Sequence, residues 1–343
     1  MTPDRSDERV TIIDVAREAS VSFSTVSRVV NNKGYISPKT RQRVHEAMVK
    51  TGYVANRQAR ALAGGRQQVV GLLVLDLDTS YIGEILRGID EELAAVSWDL
   101  MLYTTHGRKS RESEFVGSLT QGMTDGLLMV LPINPSSYTE SMRQRRFPYV
   151  LIDYGAEDDV GPSVGTTNRQ GTLDAMSYLI GLGHRRIGVI TGDLSMACAR
   201  ERVAGYREAL CNGGLPFDQD LVQEGNFHQP LAYTGTQQLL DLDDRPSAIF
   251  ASNDISALSA MDAIRDAGLR IPDDISIVGF DDIPAARTGH PALTTVKQPL
   301  SDMGRTATRM LLELIENPDT APERIELPTE LIVRDSCLSV HMD

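Results

Sequence analysis

Residues 11–32, TIIDVAREASVSFSTVSRVVNN, constrain this chain more than any other stretch. Two short helical patterns flank a tight turn. Thr11 is placed to cap the first, with Asp14 three residues on to reach back to it. Val15, Ala16 and Ala19 then supply a small apolar face. Residues 19–22 are too few to do more than turn the chain. Ser22 is placed to cap a second helix that carries Val26, Val29 and Val30 inward at helical spacing. Phe23, Ser24, Thr25, Ser27 and Arg28 are left on the outer side near the helix start. This is the layout of a helix-turn-helix whose second helix enters the major groove of DNA N-terminus first. The alternative is a helical hairpin inside a core. The short, polar, basic outer face speaks against it.

The pattern continues. Ser37-Pro38 is a helix start, with Ser as cap and Pro at the first helical position. The helix should run over residues 39–51, turn Val44, Ala47 and Met48 inward, and stop at Gly52. Three helices in about 45 residues make a small bundle. Asn56 can then cap a further short helix that Gly64-Gly65 ends. Two turns of helix are not stable alone in water, so this segment needs a partner, and DNA could be one.

Charge supports the same reading. The whole chain has 34 Lys+Arg against 47 Asp+Glu, a net charge of -13. Residues 1–66 reverse the balance, with 12 basic against 6 acidic residues, so the remaining residues hold 22 basic and 41 acidic. A basic head on an acidic body leaves only the head suited to phosphates. Hydrophobic residues are 41% of the chain and mean hydropathy is -0.20, values of a soluble globular protein. No apolar run is long enough to span a bilayer, and the polar N-terminus has no signal-peptide core. The expected location is the cytoplasm, with no membrane partner. The three cysteines, Cys198, Cys211 and Cys337, have no metal-binding spacing and read as reduced thiols.

From Gln67 onward the chain changes character. Residues 69–75 are a continuous apolar run, as expected of a strand buried on both faces. Similar runs recur at residues 126–131, 149–152, 187–190, 248–251 and 275–278. Helical patterns lie between them, over 81–96, 112–122, 169–181, 202–211, 231–242 and 254–267. The alternation predicts an α/β body with parallel sheets, and its length suits two similar lobes. The expected domains are a helix-turn-helix head over 1–54, a hinge and linker over 55–66, and a body over 67–343. Within the body, 67–161 plus 297–322 would form the first lobe. Residues 162–296 plus 323–343 would form the second, with three crossings between them.

Residues 11–63 resemble the DNA-binding head of the lactose-repressor family of bacterial regulators. The match rests on T-I-I-D-V-A at 11–16, V-S-x-x-T-V-S-R-V-V-N at 21–31, S-P-K-T-R-Q-R-V at 37–44 and G-Y-V-A-N-R-Q-A-R-A-L-A at 52–63. The body carries further signatures: G-H-R-R-I at 183–187, R-V-A-G-Y at 202–206, S-N-D at 252–254, G-F-D-D at 279–282 and L-T-T-V at 293–296. The resemblance implies a periplasmic-binding-protein-like body and a homodimer that reads a palindromic operator. It implies DNA contacts from Thr11, Ser22, Phe23, Ser24, Thr25, Arg28, Asn31, Thr40, Asn56, Ala59 and Leu62. Phe23 and Ser24 match positions that read base edges, and Arg28 could take guanine O6 and N7. The segment like residues 56–63 is a hinge helix paired in the minor groove, with Leu62 as a wedge that unstacks a base step.

The same resemblance implies a small-molecule site between the lobes. Ligands of open α/β sheets sit at the C-terminal ends of strands, where Asp76, Asp153, Asn253 and Asp281 fall. Arg202, read as the start of a helix, matches a ligand-contacting arginine, and Tyr81 and Phe227 match positions that supply aromatic plates. Carboxylates, amides and a guanidinium suit sugar hydroxyls, and an aromatic plate suits sugar C–H faces. Ile82 stands where the family often has a second aromatic, which disfavours a purine sandwich. The expected activity is repression of sugar-utilisation genes, relieved by a mono- or oligosaccharide. The alternatives are a corepressor-type regulator using a purine or sugar phosphate, and a sugar-binding protein without a DNA role. No HExxH, GxSxG or Walker loop is present, and the six histidines do not cluster. No enzyme activity, cofactor or metal is expected.

Overall fold

The computed structural model describes residues 10–30, 34–53, 66–77, 80–105, 108, 111–154 and 161–340. They fall into two compact units, divided between Gln68 and Val69.

The head is three helices, α1 (Ile12–Glu18), α2 (Phe23–Val30) and α3 (Pro38–Thr51). Each begins where the sequence offers a cap. The Asp14 carboxylate accepts from the Thr11 backbone N–H at 2.9 Å and from its hydroxyl at 2.7 Å. Ser22 Oγ accepts from the Thr25 N–H at 3.1 Å, and Ser37 Oγ from the Thr40 N–H at 3.3 Å. Gly52 ends α3 in the left-handed region, at φ 67°. Val15, Ala16, Ala19, Val26, Val29, Val44 and Ala47 form the buried core, with Val30 and Met48 packed at its margin.

The body is two six-stranded sheets. The first contains β1 (Val69–Val74), β2 (Asp99–Thr104), β3 (Gly126–Val130), β4 (Tyr149–Ile152), β5 (Ser163–Thr166) and β11 (Arg324–Leu327), in the order β11-β5-β4-β3-β1-β2. Every pairing in it is parallel. The second contains β6 (Ile187–Thr191), β7 (Val222–Glu224), β8 (Ala248–Ala251), β9 (Ser276–Asp281), β10 (Thr294–Lys297) and β12 (Glu330–Ile332), in the order β12-β10-β9-β8-β6-β7. Only β12 runs antiparallel. Helices connect the parallel strands, and the central strands are buried throughout.

The lobe boundaries differ from the expected ones. β5 pairs with β4, so the first crossing follows Thr166 and not residue 161. β11 pairs with β5, so residues 324–327 belong to the first lobe and the third crossing falls near Thr329. The reason is composition. Ser163-Val164-Gly165-Thr166 has one large apolar residue, and β11 alternates as an edge strand does, so neither carries a buried-strand run. The second crossing lies at Gln298, one or two residues past the expected point. The Leu300–Glu316 helix packs on the first lobe, against the Ser80–Ala95 helix, as anticipated. Their approach is close: a Cβ on Gly88 would collide with the Ser301 carbonyl, and one on Gly304 with the Ile85 carbonyl.

Candidate functional site

Two surfaces take the residues singled out by sequence. On the head, Val26 and Val29 face inward, which turns Ser24 and Arg28 to solvent and leaves Phe23 55% exposed. Ser22 Oγ lies 2.8 Å from Ser24 Oγ and 2.9 Å from Thr25 Oγ1, so the hydroxyls at the tip are organised by one another. The Thr40 hydroxyl lies 2.9 Å from Ser37 Oγ, and the Thr11 hydroxyl is held by Asp14. Asn31, Asn56, Ala59 and Leu62 lie outside the described residues.

In the body, the strand ends of the two lobes enclose a cavity of about 430 Å³. Asp76, Tyr81, Asp153, Arg202, Phe227, Asn253 and Asp281 all line it. Asp76 follows β1, Asp153 follows β4, Asn253 follows β8 and Asp281 closes β9, so four of the seven arrive as strand-end residues. Asp193, Met196, Cys198, Asn226, His228 and Gln229 line it too and were not singled out. Asp193 follows β6 by the same strand-end rule. The others sit on loops and helix starts that no periodicity marks.

Arg202 is the most deeply held of these. The helix that carries it is Ala197–Asn212, so Arg202 lies on the second turn and does not start the helix. Met196 at the cap position makes no side-chain cap bond, so the true helix start carries no capping signal in the sequence. Its Nε donates to Asn168 Oδ1 at 2.8 Å and its Nη1 to the Ser252 carbonyl at 2.5 Å. Nη1 also lies 3.8 Å from Asp281 Oδ1. The guanidinium carbon stands 3.8 Å from the Phe280 ring centroid and 5.7 Å from that of Phe227. The Phe227 ring lies over Gly192, where any Cβ would strike it.

The carboxylates face the cavity from both lobes. Tyr81 donates its hydroxyl hydrogen to Asp153 Oδ2 at 2.7 Å, while Asp153 Oδ1 is buried with no partner among the described residues. Burial pushes the Tyr81 phenol far up, and the Asp153 charge adds to this. Burial likewise pushes Asp281 up to about 7, against the pull of Arg202 and the hydrogen bond from Gln298 Nε2 at 2.7 Å. Burial raises the Cys198 thiol, which stays protonated. Asn253 caps the Asp254–Asp266 helix through its side-chain oxygen, 2.9 Å from the Ser256 N–H. Its oxygen is thereby committed to the helix start.

The backbone around the cavity is strained. Leu131, Asp153, Phe227 and Asp281 have φ of 50°, 55°, 62° and 123°. Non-glycine residues there cost on the order of 1–3 kcal/mol each, and such strain gathers at functional sites. Among the described residues, no helix is long and apolar enough to cross a membrane.

The comparisons with known proteins follow this division of the chain. Residues 11–56 match the model of bacterial regulatory proteins, lacI family, and residues 176–337 match the periplasmic binding protein-like domain. The HTH-type transcriptional repressor PurR of Vibrio atlanticus (strain LGP32) is 31% identical over 331 residues, covering 95% of this chain and 98% of the relative. Among solved structures, the lac repressor dimer bound to operator and the anti-inducer ONPF aligns with a TM-score of 0.87 at 29% identity. That alignment covers 96% of this chain and 100% of the other. A complex of the transcriptional regulator CelR with cellobiose aligns with a TM-score of 0.73 at 32% identity, with the same coverage. A helix-turn-helix head joined to a two-sheet binding body, matched over nearly its whole length, makes this chain a DNA-binding transcriptional regulator, and it belongs to the lacI family of bacterial regulatory proteins.

Proposed function

We propose that this protein is a cytoplasmic, homodimeric repressor released from a palindromic operator by a neutral mono- or disaccharide held in the 430 Å³ cavity. The observation that carries the saccharide is the cavity's chemistry. Asp76, Asp153, Asp193 and Asp281 supply acceptors for hydroxyls, and Phe227 supplies an apolar plate. The lining holds four carboxyl groups and one buried guanidinium, itself already shared among Asn168, Ser252 and Asp281. That balance disfavours a sugar phosphate. Ile82 beside Tyr81 offers no second ring for a purine sandwich. The CelR neighbour, solved with cellobiose, supports the same class.

On the head, Phe23, Ser24 and Arg28 read base edges, while Thr11, Ser22, Thr25, Asn31 and Thr40 position the head on the phosphates. Asn56, Ala59 and Leu62 form the minor-groove segment. The saccharide prefers one arrangement of the two lobes and shifts the population away from the one that grips DNA.

The test is a thermal-shift screen of the full-length protein with neutral saccharides, sugar phosphates and purines. DNA selected from random duplexes is then titrated with and without the hit. The expected hit is a neutral saccharide that weakens DNA binding. A purine or sugar phosphate as the sole hit, or a saccharide that tightens DNA binding, overturns this reading in favour of a corepressor.

A further inference from the structure

The three chain crossings between the lobes are joined by hydrogen bonds, but not in the same way. The first and third are clamped to each other. Thr329 N–H donates to Thr167 Oγ1 at 3.0 Å, the two hydroxyls lie 2.9 Å apart, and the Thr167 N–H donates to the Leu327 carbonyl at 3.1 Å. Gly171 lets this clamp close, since a Cβ there would press on Thr329 Oγ1 at 2.6 Å. No residue of the clamp lines the cavity.

The second crossing is different. Its Gln298 is 3% exposed, and its amide has both ends in use. Oε1 accepts from the Thr166 hydroxyl, at the end of β5 in the first lobe, at 2.6 Å. Nε2 donates to Asp281 Oδ1, in the cavity wall of the second lobe, at 2.7 Å. The Gln298 backbone N–H also donates to the Asp281 carbonyl at 3.2 Å. Thr166 and Asp281 are themselves 2% and 4% exposed, so water does not compete for these bonds. The amide is polar at both ends and, while Asp281 is ionised, cannot turn over without setting its carbonyl oxygen against that carboxylate.

We propose that Gln298 is a positioning residue that ties the cavity carboxyl of Asp281 to the first-lobe crossing at Thr166. What happens at Asp281 is thereby felt at the joint between the lobes. This rests on reading the cavity as the effector site. A hydroxyl or carboxyl group that changes its hold on Asp281 changes the hold of the Gln298 amide. Thr166 then loses or keeps its acceptor. The Thr167–Thr329 clamp holds the lobes together and takes no part in this communication.

The test uses neither saccharide nor operator, so it succeeds or fails separately from the saccharide reading. The full-length protein is labelled with ¹³C at aspartate carboxyls, and Asp281 is identified by the signal missing from Asp281→Asn. In the other lobe, Thr166→Val removes the donor to Gln298 and slackens the amide. The Asp281 titration should then move up by about half a unit, because its carboxylate loses a fixed donor. Thr166→Ser keeps a hydroxyl and should restore the wild-type titration. Thr329→Val loosens the clamp and should leave Asp281 unmoved. In a Gln298→Met background, Thr166→Val should add nothing. The proposal is overturned if Thr166→Val leaves Asp281 where it was, or shifts it equally without Gln298. It is also overturned if Thr329→Val shifts it as much. Should Gln298→Met not fold, the Thr166→Val, Thr166→Ser and Thr329→Val set decides alone.

Discussion

Tyr81 and Asp153 form a one-sided pair: the phenol satisfies Oδ2 at 2.7 Å, and Oδ1 is buried beside the cavity with no partner among the described residues. A buried acceptor without a donor is unfavourable until something supplies one, and a ligand hydroxyl is the natural supplier.

Asp153→Asn should therefore weaken saccharide binding by roughly 10- to 100-fold, the worth of a hydrogen bond to a charged acceptor. Calorimetric titration of the full-length protein measures it. An unchanged Kd would remove Asp153 from the site.

The carboxyl of Asp281 makes stability depend on pH in a stated direction. Burial raises it from 3.8 to about 7 in the folded protein. The folded state therefore holds a proton that the unfolded chain has released. Its contribution is complete below the unfolded value and is lost as pH rises through the folded one. Asp254, also raised by burial, acts in the same sense. Asp281→Asn should flatten the fall in Tm between about pH 4 and 7 relative to wild type. Parallel Tm–pH curves for the two proteins would contradict the assignment.

The helix pair on the first lobe admits no side chain at its crossing. Gly304→Ala would drive a methyl into the Ile85 carbonyl. Backbone cannot retreat as a side chain does, so a loss of about 2–3 kcal/mol in unfolding free energy is expected from denaturant titration. A loss under a few tenths would mean that the helices part freely.

On the head, Arg28→Ala should weaken binding to selected duplexes by about 10- to 100-fold and relax base choice at one position per half-site. Leu62→Ala should weaken it through lost kinking. Binding of the wild type should fall steeply with salt. Both variants binding as tightly as wild type would refute the assigned contacts.

The three described helices of the head were legible because each announces itself twice, by a cap and by an inward stripe. Thr11, Ser22 and Ser37 begin helices, and the residues expected inside are those that pack. In the body, strands buried on both faces spell apolar runs, so β1, β3, β4, β6, β8 and most of β9 were readable. Edge and short strands do not. β5, β7 and β11 have few or alternating apolar residues, and missing β5 and β11 displaced two lobe boundaries. All seven residues named for the cavity reached it, since strand ends and family motifs both point there. Asn226, His228 and Gln229 could not be found that way, because a loop's direction is set by tertiary contacts and leaves no period in the chain.

The setting of Arg202 has a practical outcome for anyone wishing to retune this regulator. Its guanidinium is a keystone wedged between Asn168, the Ser252 carbonyl and the Phe280 ring, so altering it would topple wall and ligand pocket together. A library aimed at new ligands for this cavity should keep that arginine fixed and randomise His228 and Gln229 instead, whose side chains are exposed at the cavity wall.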